Sequence, residues 1–380
     1  MTDQAADTGL QLFSTATDDN RLELSLRRVP VPTPGAEEVV VRIEATPLNP
    51  SDLGLLLSAA EPASFQVTAS GDQPVTTGTI PAALARVVAA RKGKSLPVGN
   101  EAAGTVVKAG ESAAAQALLG KTVAIVGGAM YSQYRLLKAR DCLVLPEGTT
   151  AEQGASSFVN PMTALAMVGM LRRAGEKALV HTAAASNLGQ MLVKLCQADG
   201  IPLVNIVRSE EQVALLRSLG ATHVCNSSSS EFMRELIAAI TETGAFLAFD
   251  AIGGGPLAGQ ILTAMEAAAT ARTPGFSVYG SPQHKQVYVY GRLDTTPMQL
   301  GGGFGLAWGV GGWLLTPYLQ RLAAEEVAAM RRRVAENLRT IFASQYTRRI
   351  TLQEALQPEI ILAYSRRATG EKYLITPAAS

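Results

Sequence analysis

Small residues between an apolar run and an amphipathic stretch form the first candidate for chemistry in this chain. The stretch HTAAASNLGQ at residues 181–190 matches the pattern G-x-G-x-x-G only in part, because Ala184 and Ser186 occupy the first two glycine positions and Gly189 the third. Small side chains at a strand-to-helix turn let the backbone approach a pyrophosphate, and a helix N-terminus favours its negative charge. The turn therefore predicts dinucleotide binding by Ala184, Ser186, Asn187, Leu188 and Gly189.

A basic residue follows the next predicted strand, Leu203–Val207, where many dinucleotide-binding proteins have an acidic one. An acidic side chain there binds a free ribose 2′-hydroxyl, whereas the guanidinium of Arg208 suits a 2′-phosphate. Arg208 and its neighbour Ser209 thus favour NADPH over NADH. The structural alternative is a solvated Arg208 that pairs with Glu210 or Glu211.

Two later strand ends also carry glycine where the nicotinamide half of a cofactor would lie. The strand Phe246–Asp250 is followed by Ile252 and Gly253, and the predicted strand Phe276–Tyr279 is followed by Gly280. These ends make Ile252, Gly253, Tyr279 and Gly280 candidate cofactor contacts. Turns without any ligand would have the same composition.

The elements that must position these residues change in type along the chain. Residues 20–150 have the alternation of short strands, and residues 58–97 interrupt them as an insertion without strand alternation, with a short helix at 82–91. From residue 160 strands and helices alternate, which predicts a parallel sheet covered by helices. A helix at 320–343 and a strand at 372–375 complete the prediction.

Composition limits the class of partner. The 380 residues carry a formal net charge of +1 with both signs interspersed, which provides no electrostatic footprint for nucleic acid or for an anionic membrane. The N-terminal stretch lacks the pattern of an export signal, and three isolated cysteines have no disulfide or metal spacing, so we expect a cytoplasmic protein. The uncharged segment Leu300–Leu319 is long enough for a membrane span, but its seven glycines and Pro317 argue against one.

Several stretches together resemble the zinc-independent branch of the medium-chain dehydrogenases and reductases, which includes quinone oxidoreductases and 2-enoyl thioester reductases. The resemblance covers nearly the whole chain. The stretches are ATPLNPSDL (45–53), VGNEAAGTVVKAG (98–110), NPMTAL (160–165), ALVHTAAASNLGQ (178–190), LVNIVRS (203–209), SLGATHV (218–224), FDAIGG (249–254), VYG (278–280), GGWLL (311–315) and TGEKYLI (369–375).

This resemblance implies a fold class and a division of the chain. It implies an α/β protein with a Rossmann-type, doubly wound parallel sheet at 156–318, which binds NADP, and a mainly β, GroES-like catalytic domain at 1–155 and 319–380. It also implies that Asn49, Thr163 and Lys372 contact the cofactor.

The metal ligands of the zinc-dependent relatives are missing from the sequence. Those relatives have a cysteine where Asn49 stands and a histidine where Asn100 stands, and carboxamides are poor Zn²⁺ ligands. The three histidines, His181, His223 and His284, have no ligand spacing. We therefore expect no metal.

Without a metal, a hydrogen-bond donor must stabilise the charge that develops on the acceptor's oxygen, which is easiest for conjugated acceptors. Asn49 is the first candidate donor and Tyr131 the second, with an Asn-Pro turn and simple packing as their alternatives. Asp52 is expected to cap a turn or the helix that begins at Leu53.

The predicted function is NADPH-dependent reduction of a conjugated carbonyl, most simply of a quinone. The alternatives are reduction of a 2-enoyl thioester or enone, and an NADPH-binding protein with little catalysis. Thioester-reducing relatives have a tyrosine acid where Ala60 stands, and the family's phosphate turn has a glycine where Asn187 stands. Quinone-reducing relatives also tend to have a lysine near Gln212 and a tyrosine near Ser227, so Arg208 must contribute more to binding the 2′-phosphate.

The segment Leu300–Leu319 is predicted to be buried and to join two subunits in a homodimer, because a flat apolar surface exposed on a monomer promotes aggregation. Phe304 and Trp308 are expected on the acceptor side, where their rings could stack on a quinone, and Trp313 in the interface. The alternative is that all three aromatic residues belong to the core of one subunit.

Overall fold

The computed structural model describes residues 7–272 and 277–377. The chain forms two units, of which unit 1 contains residues 1–159 and 331–380 and unit 2 contains residues 160–330. The boundaries expected from the sequence, 155/156 and 318/319, lie 4 and 12 residues before these.

The strands, in chain order, are β1 (Thr8–Ala16), β2 (Arg21–Pro30), β3 (Glu38–Pro47), β4 (Gln66–Ala69), β5 (Val75–Thr79), β6 (Ser95–Pro97), β7 (Glu101–Ala109), β8 (Thr122–Val126), β9 (Tyr134–Lys138), β10 (Leu143–Val144), β11 (Leu179–His181), β12 (Leu203–Val207), β13 (His223–Asn226), β14 (Leu247–Asp250), β15 (Lys285–Val289), β16 (Trp308–Gly312), β17 (Arg348–Ile350) and β18 (Tyr373–Ile375).

The α-helices are α1 (Leu53–Leu56), α2 (Ala113–Gln116), α3 (Ala151–Gly154), α4 (Val159–Ala174), α5 (Asn187–Ala198), α6 (Glu210–Ser218), α7 (Phe232–Thr243), α8 (Leu257–Arg272), α9 (Leu315–Leu319), α10 (Ala324–Glu336) and α11 (Pro358–Ser365). Within the described residues, 3₁₀ helices lie at Pro62–Ser64, Ala82–Arg91, Ala139–Asp141 and Glu354–Leu356.

Unit 1 contains two mainly antiparallel sheets. The first has the order β4-β5-β2-β1-β6, and the second has the order β10-β8-β7-β3-β18-β17 with β9 paired to β3. Apolar residues alternate along β2, so that Leu22, Leu24 and Leu26 are all buried in the core of this unit. This arrangement confirms the mainly β, GroES-like part of the predicted fold class.

Unit 2 contains one parallel sheet of six strands in the order β13-β12-β11-β14-β15-β16. Serine side chains begin two of its helices, because Ser186 accepts a hydrogen bond from the Gly189 N–H in α5, and Ser209 accepts one from the Gln212 N–H in α6. The predicted Rossmann-type sheet is therefore confirmed. All six strands run in one direction, so their C-terminal ends form one side of the sheet, called here the carboxyl edge, and their N-terminal ends form the amino edge.

Three sequence predictions of local structure are wrong. Residues 58–97 contain the strands β4, β5 and β6, and the helix at 82–91 is a 3₁₀ helix. Val278 and Tyr279 lie in a turn, while Phe276 lies outside the described residues; the strand comes later, at β15. The helix expected at 320–343 is limited to α10.

The apolar segment Ala151–Ala174 is long enough for a membrane span, but 78% of its most apolar window is buried inside the protein. Burial of this kind is typical of a helix in the core of a folded domain. The segment Leu300–Leu319 instead contains the edge strand β16 and the short helix α9.

Candidate functional site

The turn between β11 and α5, residues 182–186, forms where the sequence predicts a diphosphate-binding turn and is called here the phosphate turn. A Cβ atom placed on Gly189 would lie 2.1 Å from the carbonyl oxygen of Ala184, so only glycine lets this helix approach the end of β11 so closely. Ala184 is fully buried, and Ala183 adopts a left-handed φ of 50°. The small residues of this turn thus serve a close approach of the backbone.

The N-terminus of α5 has polar groups available for an anion. The backbone N–H groups of Ala185 and Leu188 donate to no acceptor in the described part of the chain. Asn187 is half-buried at the first position of the 12-residue helix. Free N–H groups and the positive end of a helix dipole fit the diphosphate of a dinucleotide.

Arg208 lies at the carboxyl edge, directly after β12, and its side chain is exposed. Its backbone N–H donates to Oε1 of Gln212 at 2.9 Å, and among the described residues its guanidinium forms no ion pair. Glu210 instead accepts a hydrogen bond from Nδ2 of Asn226 at 2.6 Å. The structural alternative for Arg208, pairing with Glu210 or Glu211, is therefore not observed.

Two predicted cofactor residues, Ile252 and Gly253, lie at the carboxyl edge as expected, but their N–H groups are already used. Asp250, at the end of β14, is fully buried, and its carboxylate accepts hydrogen bonds from the N–H groups of Ile252 at 2.9 Å and of Gly253 at 3.0 Å. The hydroxyl of Thr182 also donates to this carboxylate, at 2.7 Å. Asp250 thus fixes the turn after β14 and ties it to the end of β11.

The prediction that Tyr279 and Gly280 lie at the carboxyl edge of the sheet is wrong. They precede β15, which is parallel to β14, so they lie at the amino edge of the sheet, opposite the phosphate turn. A buried ion pair holds this turn: Nζ of Lys285 contacts Oε2 of Glu266 at 2.6 Å, and the Ser281 N–H donates to the same carboxylate at 2.7 Å.

The residues that do follow β15 at the carboxyl edge are Tyr290 and Gly291, which the sequence analysis missed. The signal was present, because the alternating run VYVYG at 287–291 has the strand pattern that VYG at 278–280 lacks. The hydroxyl of Tyr290 lies 2.8 Å from Nε2 of His181, the last residue of β11.

Both aromatic residues expected near an acceptor lie at the wrong end of β16. Trp308 begins β16 and Phe304 precedes it, so both are at the amino edge, and Phe304 packs in the core of unit 2 with its ring 4.9 Å from that of Trp308. Trp313 follows β16 at the carboxyl edge and is buried against Phe249, not exposed for an interface. Its Nε1 has no hydrogen-bond partner within residues 7–272 and 277–377.

The burial of Leu300–Leu319 in a dimer interface stays a prediction, because a single chain shows only which of its side chains are exposed before association. Phe304, Trp313 and Tyr318 are buried, but Leu306 and Leu314 are 71% and 67% exposed.

In unit 1, the carboxamide of Asn49 is buried and held by a glutamate. Nδ2 of Asn49 donates to Oε1 of Glu101 at 2.8 Å, while Oε2 of Glu101 accepts from the N–H groups of Phe158 and Val159 at 2.8 and 2.9 Å. Oδ1 of Asn49 has no partner among the residues described. The group left for a ligand is thus an acceptor, which does not fit the predicted role of Asn49 as a donor to an oxyanion.

Burial shifts the pKa values of Glu101 and of the neighbouring Lys372. Burial raises the pKa of Glu101, and the nearby ammonium of Lys372 opposes this shift. Burial lowers the pKa of Lys372 from 10.5 to about 8, while Glu101 and Asp52 oppose that shift. Nζ of Lys372 donates to Oγ of Ser156 at 2.8 Å.

The remaining candidates of unit 1 are internal. Asp52 accepts a hydrogen bond from the Asn49 N–H at 2.7 Å, so it closes the turn as predicted without capping α1. Burial raises its pKa from 3.8 to about 7. Tyr131 is fully buried in the hydrophobic core, its hydroxyl 3.4 Å from the carbonyl of Pro47, and burial raises its pKa well above 10. This placement favours the packing alternative over proton donation.

Two residues that the resemblance assigns to the cofactor remain predictions. Thr163 is buried on α4 in unit 2, and Lys372 belongs to the polar cluster of unit 1.

The positions that hold zinc in the zinc-dependent relatives carry amides here. Nδ2 of Asn100 donates to Oγ of Ser51 at 3.1 Å. In the described ranges, no three His, Cys, Asp or Glu side chains form a group that could hold a metal ion.

Comparison with known proteins places this site in context. Residues 188–294 match the family model described as zinc-binding dehydrogenase. The chain is 30% identical over 159 residues, 41% of its length, to a candidate quinone oxidoreductase of Leishmania amazonensis. It is 27% identical over 210 residues, 53% of its length, to the mitochondrial enoyl-[acyl-carrier-protein] reductase of Xenopus tropicalis. The chain spans only about half the length of these curated relatives, 45% and 51%.

Among solved structures, a candidate NADPH:quinone reductase from Mesorhizobium loti has a TM-score of 0.74 and 24% sequence identity, with 98% of this chain and 100% of that chain covered. The six-stranded parallel sheet of unit 2 and the two mainly antiparallel sheets of unit 1 therefore form a fold that this solved structure shares. The chain thus resembles the medium-chain dehydrogenases and reductases, in sequence over residues 188–294 and in fold over 98% of its length.

Proposed function

We propose that this protein is an NADPH-dependent oxidoreductase that reduces a conjugated carbonyl, most simply a quinone, without a metal ion. The observation that carries the proposal is the exposed, unpaired Arg208 at the end of β12, beside a turn whose small residues and free N–H groups fit a diphosphate. A guanidinium at this position matches a 2′-phosphate in charge and in hydrogen-bonding geometry.

When bound, the reduced nicotinamide supplies a hydride. The chain's part is to bind and orient. Ala185 and Leu188 offer N–H groups to the diphosphate, and Arg208 pairs with the 2′-phosphate. A quinone is a suitable acceptor because its conjugation spreads the negative charge, which reduces the need for a Lewis acid. The absence of cysteine and histidine at the zinc positions, Asn49 and Asn100, supports metal independence.

A second candidate is reduction of a 2-enoyl thioester or enone. The similarity to the enoyl-[acyl-carrier-protein] reductase favours it. Ala60, which stands where thioester-reducing relatives have a tyrosine acid, is buried in the core of unit 1 and has no group that could donate a proton.

One assay separates these candidates. The protein is mixed with NADPH and a panel of quinones, enones and 2-enoyl thioesters, and the absorbance of the reduced nicotinamide is followed before and after exhaustive chelation. We expect turnover with quinones that survives chelation. Turnover confined to enoyl thioesters would support the second candidate, and NADPH binding without turnover would indicate a binding protein. Activity that chelation removes and Zn²⁺ restores would overturn metal independence.

We also propose that the protein is a homodimer that joins through β16. This strand pairs only with β15 among the described strands, and Leu306 and Leu314 expose large apolar side chains at its two ends. Pairing of two such edges across a two-fold axis removes both from water.

The register of β16 supplies a test of the dimer. The Trp313 N–H donates to Val289, so by alternation the Gly312 N–H faces away from β15. Gly312→Pro removes that outward donor and leaves the bonds to β15 intact. In sedimentation at micromolar concentration we expect a dimer for the unmodified protein and the 39.8 kDa monomer for the variant. A monomer in both cases contradicts the proposal. A cytoplasmic location is proposed with it, in keeping with the three free cysteines.

A further inference from the structure

The rings of His181 and Tyr290 are in contact at the carboxyl edge of unit 2. His181 ends β11 and Tyr290 follows β15, and β14 lies between these strands in the sheet. The ring centroids are 5.8 Å apart with a 16° angle between planes, and the Tyr290 hydroxyl lies 2.8 Å from Nε2 of His181. The side chains therefore connect two strand ends that are not neighbours in the sheet.

Both partners are neutral near neutral pH. His181 is fully buried, and burial lowers its pKa to about 3. Burial, together with the charge of Asp250, raises the pKa of Tyr290. The bond therefore joins two uncharged side chains near neutral pH.

Backbone contacts join the segment after β15 to the turn after β14. The N–H of Tyr290 donates to the carbonyl of Asp250 at 2.9 Å, and the N–H of Asp294 donates to Ile252 at 3.0 Å. A Cβ on Gly291 would lie 2.6 Å from the Ala251 carbonyl oxygen, so these backbones touch directly. These contacts join residues 250–255 to residues 290–294, and the two segments together are called here the paired turn.

The order of the strands shows what the paired turn faces. The sheet changes direction of winding between β11 and β14, and ligands of such sheets bind in the crevice at this switch point. The phosphate turn follows β11 on one side of the crevice, and the paired turn follows β14 and β15 on the other. The His181–Tyr290 bond is a direct side-chain link between the two sides.

We propose that Tyr290 is a positioning residue: through its bond to His181 it fixes the paired turn relative to the phosphate turn, and so determines where the nicotinamide half of the cofactor is held. The inference rests on the proposed NADPH binding. It assigns Tyr290 to the nicotinamide half only, because the adenosine half lies toward Arg208 on the far side of β11.

The test compares Tyr290→Phe with the matched control Tyr288→Phe. Tyr288 lies on β15, two residues before Tyr290, but its hydroxyl has no hydrogen bond within the described residues. Affinities are measured by titration for NADPH and for adenosine 2′,5′-bisphosphate, which lacks the nicotinamide half. Since a buried hydrogen bond is lost, we expect Tyr290→Phe to weaken NADPH about tenfold and to leave adenosine 2′,5′-bisphosphate unchanged. Tyr288→Phe should change neither affinity.

A second pair of variants separates positioning from general stability. In His181→Gln the amide can still bond Tyr290, whereas His181→Leu cannot, so we expect the glutamine variant to recover most of the NADPH affinity that the leucine variant loses. Equal loss of both ligands in Tyr290→Phe, or no loss of either, overturns the inference while the proposed function stands. If the unmodified protein binds neither ligand, the proposed function and this inference both fail.

Discussion

Substitution of Arg208 by alanine is the most direct measure of the cofactor choice. The guanidinium has no ion pair to lose within the described ranges, so the variant should remove only the proposed contact with the 2′-phosphate. A charge-assisted hydrogen bond contributes about 1.5–3 kcal/mol, and exposure of the side chain reduces this to about 1–2 kcal/mol, which is about 5-fold to 30-fold in affinity. NADH has no 2′-phosphate, so its affinity should stay nearly the same.

The assay is a titration of the unmodified protein and Arg208→Ala with NADPH and NADH at low and high salt. Arg172→Ala is the matched control, because it removes an exposed arginine of the same unit at the end of α4, paired with Asp199 at 2.8 Å and away from the carboxyl edge. The preference for NADPH should fall in Arg208→Ala alone, and the difference between the cofactors should shrink at high salt. If NADH binds the unmodified protein as tightly as NADPH, the reasoning about Arg208 is refuted.

Three further predictions concern stability, measured by denaturant unfolding. Gly189→Ala should lower the free energy of unfolding by about 2 kcal/mol or more and weaken the binding of NADPH, because the new Cβ atom would meet backbone atoms. The control is Gly54→Ala on the exposed face of α1, where no atom lies within 4 Å, and it should be neutral or stabilising. Equal effects of the two variants would contradict the argument from close approach. Asp52→Asn should be more stable than the unmodified protein at pH 8 by on the order of 2–4 kcal/mol, and the difference should vanish near pH 4. The reason is that folding raises the pKa of Asp52 from 3.8 to about 7, so the unmodified protein loses stability as the pH rises through this range. A difference that does not change with pH would refute this reasoning. Glu266→Gln should lower the free energy of unfolding by about 3–5 kcal/mol, because it leaves the buried charge of Lys285 without its partner. The double variant with Lys285→Met should recover much of this loss. If the double variant does not recover, the unpaired charge is not the cause.

Local features of the site could be predicted from the sequence because they depend on neighbours in the chain. The turn at 181–190 follows from small residues between an apolar strand and an amphipathic helix, and the position of Arg208 follows from the length of the strand before it. Both elements appear within one or two residues of the expected bounds.

Features that depend on strand direction or on distant contacts could not be predicted in the same way. The sequence predicts a strand that ends at Tyr279, but the strand in this region is β15. The reason is that the pattern V-Y-G occurs twice within 14 residues, and only the second occurrence follows the period-2 alternation of a strand. Glu101 resembles an ordinary strand residue, since its contact with Asn49 joins residues 52 positions apart. The identity of a tryptophan also does not show which end of its strand faces the ligand.

The placement of the two tryptophans at opposite ends of β16 has a practical consequence for spectroscopy. They are the only indoles in the chain, so the emission of a variant that keeps one of them comes from a single known place. Trp308, half-buried against Phe304 at the amino edge, should respond to subunit association. Trp313, buried against Phe249 at the carboxyl edge, should transfer excitation energy to a bound dihydronicotinamide. Two single-tryptophan variants would thus report on the proposed assembly and on the proposed cofactor binding independently.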